Sequence, residues 1–347
     1  MNVVNTVPIN TSRDLRFTSE VEQHTAHLYA KVSKVIPEVE WPIFAPMIHR
    51  INHLKAEKNA VILGHNYMTP EIFHCVADFA GDSLALARHA ASTDADIIVM
   101  AGVHFMAETA KLLSPDKKVL IPDMDAGCTL AESITGEDVR KLKAQYPGVP
   151  VVTYVNTSAD VKAESDICCT SGNAVEIIEG LGVPRVIMLP DEYLALNTAK
   201  KVKQEIITWK GRCVVHEMFT AEDIRVMRTD HPGIVVLAHP ECSPEVIDEA
   251  DYSGSTSGMA GYVAKYKPAK VVLVTECSMS DNVAAEHPDI DFVRPCNLCP
   301  FMKKIELSNI LTSLESDQHQ VLIDEAVAVR ARVSVERMLT GWAPGSA

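Results

Sequence analysis

Three cysteines, Cys128, Cys213 and Cys299, stand 85 and 86 residues apart, and the sequence between them repeats at that period. Glu137-Asp138-Val139-Arg140 falls over Glu222-Asp223-Ile224-Arg225, and Pro147-Gly148 over Pro232-Gly233, at an offset of 85. Val151, Ser158, Val161, Glu164 and Asp166 fall over Val236, Ser243, Val246, Glu249 and Asp251. A weaker copy precedes them: VILGHNYM from Val61 lies over PVVTYVNT from Pro150 at an offset of 89. This period is too long for a solenoid repeat and suits a small α/β domain. Three equivalent loops that each offer a thiol can meet on one axis. Three thiolates there would hold a metal or a cluster and leave one coordination position open for chemistry.

Composition narrows the class. Of 347 residues, 47% are apolar and 22% charged, which suits a globular protein with a sizeable core. The net charge of −14 and the lack of a basic block argue against nucleic acid as a partner. The N-terminus, MNVVNTVPINTSRDLRF, lacks the basic region and apolar run of a secretory signal, and no stretch reaches the roughly 20 apolar residues of a membrane span. Nine cysteines in such a chain point to a reducing cytoplasm, where they bind metal or act in catalysis rather than form a disulfide framework.

Short Val/Ile-rich runs predict strands at 60–65, 96–101, 118–121, 150–155, 185–189, 234–238 and 271–275. They are apolar on both faces, as parallel strands covered by helices are. Helices are expected at 43–57, 70–79, 83–91, 105–113, 137–145, 172–180, 191–203, 220–229, 243–250 and 257–265, with two more between Lys303 and Leu339. Residues 1–35 read as polar, then weakly helical. Alternating β and α implies parallel sheets with right-handed crossovers. Ligands of such sheets bind beyond the carboxyl ends of the strands.

The repeats match polar residues at those ends. His65, Tyr154 and His239 share one position, and Tyr67, Asn156 and Glu241 share the position two residues on. Ser83, Ser171 and Thr256 share a third. A threefold arrangement would turn all nine, with the three cysteines, toward one cavity. Ser83, Ser171 and Thr256 precede helical segments, where a hydroxyl caps the helix or helps bind an anion. Glu241 is the one carboxylate among the nine and the first candidate for acid–base work; the bland alternative is a solvated Glu at a strand end. Cys168 and Cys169 read as packing residues, and Cys75, Cys242 and Cys277 have no partner spacing. Cys296 and Cys299 form a C-x-x-C pair, half of a zinc site or a redox pair.

From Val61 to Met302 the chain resembles the quinolinate synthase family. The resemblance is carried by GHNYMTPEI at 64–72, GDSLALAR at 81–88, FMAETAKLLSP at 105–115, YVNTSADVKAESD at 154–166, VVHEMF at 214–219, HPECSPEV at 239–246, GSTSGM at 254–259 and PCNLCPFM at 295–302. It implies three pseudo-threefold-related αβα sandwich domains with short parallel sheets around a central active site. Their expected bounds are 1–128, 129–213 and 214–299, with helices from 300–347 packing back on the first. It implies one [4Fe–4S] cluster per chain on Cys128, Cys213 and Cys299, whose open iron acts as a Lewis acid. The implied reaction is of transferase and dehydratase type: iminoaspartate and dihydroxyacetone phosphate condense to quinolinate for NAD biosynthesis, releasing phosphate and two waters. An L-aspartate oxidase or dehydrogenase would supply the iminoaspartate.

The resemblance assigns His65, Ser83, Tyr154, Asn156, Ser171, His239, Glu241 and Thr256 to substrate binding. Val155 and Pro240 contribute backbone, and His216 lines the site or supports it from behind. Glu241, Tyr67 and Tyr154 are the candidates for catalysis. Some members carry C-x-x-C-x-x-C before the PFM-like segment; here Val293 takes the first place, so Cys296 is a spare thiol. The competing expectations are an iron–sulfur hydro-lyase of other specificity, and a cluster or zinc sensor built on Cys296 and Cys299.

Overall fold

The computed structural model describes residues 15–340. The expectation about a leader sequence therefore lies largely outside the described residues. Twelve short strands form three four-stranded parallel sheets. The first holds β1 (Ala60–His65), β2 (Phe79–Gly81), β3 (Ile97–Ala101) and β4 (Lys118–Leu120). The second holds β5 (Val151–Tyr154), β6 (Ile167–Cys169), β7 (Arg185–Leu189) and β8 (Glu205–Thr208). The third holds β9 (Val235–Ala238), β10 (Tyr252–Ser253), β11 (Lys270–Val274) and β12 (Asp291–Val293). Each sheet has the same order, with its second strand at one edge, then its first, third and fourth. The chain reverses direction across the sheet between the first and third strands, so a crevice opens at their carboxyl ends. With helices on the sheet faces, the chain is three αβα units.

The aligned residues recur for physical reasons. Thr135 with Asp138, and Thr220 with Asp223, form capping boxes at the helices Gly136–Gln145 and Ala221–Asp230. Gly148 and Gly233 sit at φ 78° and 80°, which an L side chain resists. Asp78, Asp166 and Asp251 accept the backbone N–H of Ile62, Val151 and Val236, tying each second strand to the start of the first.

All seven expected strands form, to within one residue at either end. The five others escape the pattern, because two to four residues at a sheet edge are too few to show one. Helix Cys277–Glu286 was also missed: it is buried over most of its length and shows no polar face. One apolar core runs through the first unit, much of the second and the C-terminal helices, while two separate cores cover the faces of the third sheet. Helix Leu307–Ser316 packs on helix Trp41–Glu57 and β3; helix Glu325–Thr340 packs on helix Ala159–Glu164, β6 and helix His104–Leu113.

Cys277 and Cys296 depart from the sequence reading. They are joined as a disulfide with Cα atoms 4.8 Å apart, so neither is a spare thiol. A bridge between Glu276 and Asn297 carries the start of helix Cys277–Glu286 to the loop before Cys299. Proximity comes from that tertiary pairing and not from sequence spacing. No helix among the described residues is long and apolar enough to cross a membrane.

Candidate active site

The three crevices face one another across a shared cavity. Cys128, Cys213 and Cys299 all line it. So do His65, Tyr67, Ser83, Tyr154, Asn156, Ser171, His216, His239, Glu241 and Thr256. Val155 and Pro240 do not; they line neighbouring cavities, and the Pro240 carbonyl is turned to Asn197.

A chain of close polar contacts crosses the cavity wall. Tyr154 donates its phenol to Glu241 Oε1 at 2.5 Å. Glu241 Oε2 lies 2.8 Å from His216 Nδ1. His216 Nε2 is 2.9 Å from Thr275 Oγ1, which is 2.6 Å from the Tyr67 hydroxyl. Tyr67 comes from the first unit, Tyr154 from the second, and the other three from the third. Glu241 is 3% exposed, which rules out a solvated strand-end residue. Burial pushes its carboxyl up, but the adjacent His216 imidazole and the bond from Tyr154 outweigh this and hold it below the ordinary range. It is a carboxylate at neutral pH. Tyr67 and Tyr154 are pushed well above the usual phenol value, by burial first and by the Glu241 charge next, so both keep their protons.

The two histidines are set alike. The backbone N–H of Tyr67 donates to His65 Nδ1 at 3.2 Å, and that of Glu241 to His239 Nδ1 at 3.4 Å. With Nδ1 accepting, the neutral ring carries its proton on Nε2. Burial lowers His65 to about 4 and His239 to about 3, so both are neutral. His239 Nε2 then donates to Ser171 Oγ at 3.2 Å. The hydroxyls of Ser83 and Thr256 do not cap their helices: Asp82 and Ser255 do, leaving both on the cavity wall. Asn66 Nδ2 donates to Thr256 Oγ1 at 2.8 Å. Asn156 Oδ1 is buried with no partner in the protein, a polar atom left for a ligand.

Burial pushes all three cavity thiols up, Cys128 to about 12. Thiolates in so dry a place need a bound cation or cluster to offset their charge. Cys213, His216 and Glu241 also bring ligand atoms within 4.8 Å of one another, with His216 Nδ1 2.8 Å from Glu241 Oε2.

Sequence reasoning missed Thr275, Glu276 and Lys303. Lys303 Nζ lies 3.0 Å from Glu276 Oε1 and donates to the Tyr67 carbonyl at 2.9 Å, while Glu276 Oε1 accepts from Cys299 N at 3.3 Å. Extending the repeat would have found Glu276, since Asp191 stands 85 residues before it, and both side chains cap a helix just past a third strand.

The class thus defined is an α/β enzyme of three fused repeats, whose shared cavity combines a thiol trio with a buried carboxylate and two phenols. The family described as Quinolinate synthetase A protein matches residues 49–340. Quinolinate synthase 1 of Mesorhizobium japonicum is 68% identical over 321 residues, 92% of this chain and 99% of the relative. The quinolinate synthases of Agrobacterium fabrum (63% over 331 residues; 95% and 96%) and Xylella fastidiosa (63% over 292 residues; 84% and 86%) are similar to it as well. The chain belongs to the quinolinate synthetase A family.

Proposed function

We propose that this chain condenses iminoaspartate with dihydroxyacetone phosphate to quinolinate, releasing phosphate and two waters, as a cytoplasmic step of NAD biosynthesis. The atoms balance without an external oxidant or reductant. The reading is carried by the ionised Glu241 carboxylate, held between Tyr154 and His216 on the wall that the three thiols share. Cys128, Cys213 and Cys299 would hold one [4Fe–4S] cluster, which when bound supplies a Lewis-acidic iron with an open position.

The remaining work falls to the protein. Ser83, Ser171 and Thr256 offer hydroxyls, and Asn156 an unpartnered carbonyl oxygen, to the polar groups of the substrates. His65 and His239 are neutral Nε2–H donors to the same groups. Glu241 is the base for the proton removed on enolisation. The chain from Tyr154 through Glu241, His216 and Thr275 to Tyr67 carries protons to the hydroxyls that leave as water. An oxidase or dehydrogenase acting on L-aspartate would supply iminoaspartate. The test is anaerobic incubation of the reconstituted protein with both substrates. Quinolinate and phosphate in equal amounts are expected; absence of quinolinate would favour an iron–sulfur hydro-lyase of other specificity.

A further inference from the structure

Two asparagines occupy matched places in the second and third units. Asn197 lies on helix Glu192–Ala199 and Asn282 on helix Cys277–Glu286, 85 residues apart, and each is 2% exposed. Asn197 Nδ2 donates to the carbonyls of Pro240 and Cys242, at 3.0 and 2.9 Å. Asn282 Nδ2 donates to those of Asn66 and Met68, at 3.1 and 2.7 Å. Both amide hydrogens are used in each case. The four carbonyls bracket Glu241 and Tyr67, so each unit's helix grips the turn that bears the next unit's cavity residue.

The grip has a direct geometric effect. In both turns the residue after the bracket bonds back across it: Met68 N to His65 O, and Cys242 N to His239 O, each at 2.9 Å. Turning the two flanking carbonyls outward to the asparagine leaves the central N–H facing inward, where it donates to Nδ1 of His65 or His239. One amide therefore sets both the acid–base side chain and the tautomer of the histidine beside it. The third junction is built differently. Glu108, at the matching place on helix His104–Leu113, cannot donate; it accepts from Ala159 N at 3.0 Å, and the fully buried Lys162 bonds the Thr157 carbonyl instead. Only the turns carrying Tyr67 and Glu241 have the asparagine. Each asparagine also leaves its own Oδ1 buried and unbonded, which an interior tolerates only at a cost in stability. Mere filling between units would be better served by leucine.

We infer that Asn197 and Asn282 are positioning residues for the reaction, each holding an acid–base side chain of the following unit in place. This rests on the reading above that Glu241 and Tyr67 move protons. The test compares Asn197→Leu, Glu241→Gln and the double variant in cluster-loaded protein, with Asn52→Leu as control. Asn52 bonds the Cys75 carbonyl away from the cavity. Asn197→Leu is expected to lower kcat by about 10- to 100-fold, as a misplacement near 1 Å does, with KM changed less than threefold and iron content unchanged. The double variant should be no slower than Glu241→Gln alone, because the asparagine acts through that carboxylate. Asn52→Leu should affect stability only. Multiplying losses in the double variant, or full kcat in Asn197→Leu, overturns the inference. Full activity in Glu241→Gln instead overturns the underlying assignment. Should Asn197→Leu fail to load iron, Asn197→Ala in the same cycle decides.

Discussion

Glu241 is where burial and charge compete most sharply. Its carboxylate survives in a dry cavity because Tyr154 donates to one oxygen and His216 lies 2.8 Å from the other. Glu241→Gln keeps the shape and removes the base, so it should hold its iron and lose about 10²- to 10⁴-fold in kcat. Near-normal turnover, measured by quinolinate absorbance, would remove Glu241 from the mechanism. His65 and His239 make a second prediction, about pH. The unfolded chain protonates each near the ordinary value of about 6.5, the folded chain only near 4 and 3. Below pH 6.5 the unfolded state therefore binds more protons, and stability falls as pH drops toward 4. Urea unfolding at about pH 7, 5.5 and 4.5 should show this loss, with a shallower slope in His239→Gln. An unchanged slope would assign the loss to other groups. His239 could be picked out from the sequence because it recurs in register with His65; its neutrality could not, because that depends on what surrounds it.

Within elements, the repeat persists where backbone geometry demands a particular residue. Gly233 ends its turn at φ 80° with open space around its Cα, so Gly233→Ala meets backbone strain alone. It should cost about 1–2 kcal/mol. Gly180 ends a helix at ordinary φ, also with open space, so Gly180→Ala should stabilise by about 0.4–1 kcal/mol. Opposite shifts in melting temperature are the expected result, and shifts of the same sign would refute the backbone account. Turn glycines and capping boxes were readable because each depends on a few neighbouring residues. The edge strands β2, β10 and β12 were not, since their hydrogen bonds come entirely from the neighbouring strand.

At the scale of the molecule, the three units close on one another. Helix Glu325–Thr340 ties the second unit down through Arg330 to Glu164 at 2.7 Å, Ser334 to the Lys162 carbonyl at 2.9 Å and Arg337 to the Asp166 carbonyl at 2.8 Å. Truncation after Gln320 uncovers β6 and the buried Cys168, and should lower the melting temperature by more than 10 °C, about the shift of several kcal/mol; a truncated chain melting with the full one would show the helix to be dispensable. The thiol trio is also a property of the whole, since its members follow strands of three separate sheets. Replacing Cys128, Cys213 or Cys299 singly by Ala should each abolish the iron–sulfur chromophore, and about four irons and four sulfides per chain are expected in the parent protein. An intact chromophore in any one variant would free that cysteine from the set.

Periodicity, turn chemistry and capping are local properties, and through them the chain alone specified three α/β repeats and the loops that matter. Which residues stand around one cavity, which carboxylate stays charged there and which cysteines meet as a disulfide depend on contacts between separate elements, 19 to more than 200 positions apart. Asn282 beside Tyr67 and Cys277 beside Cys296 carry no mark of each other along the chain. Burial and proximity set their chemistry, and both arise only when the sheets pack.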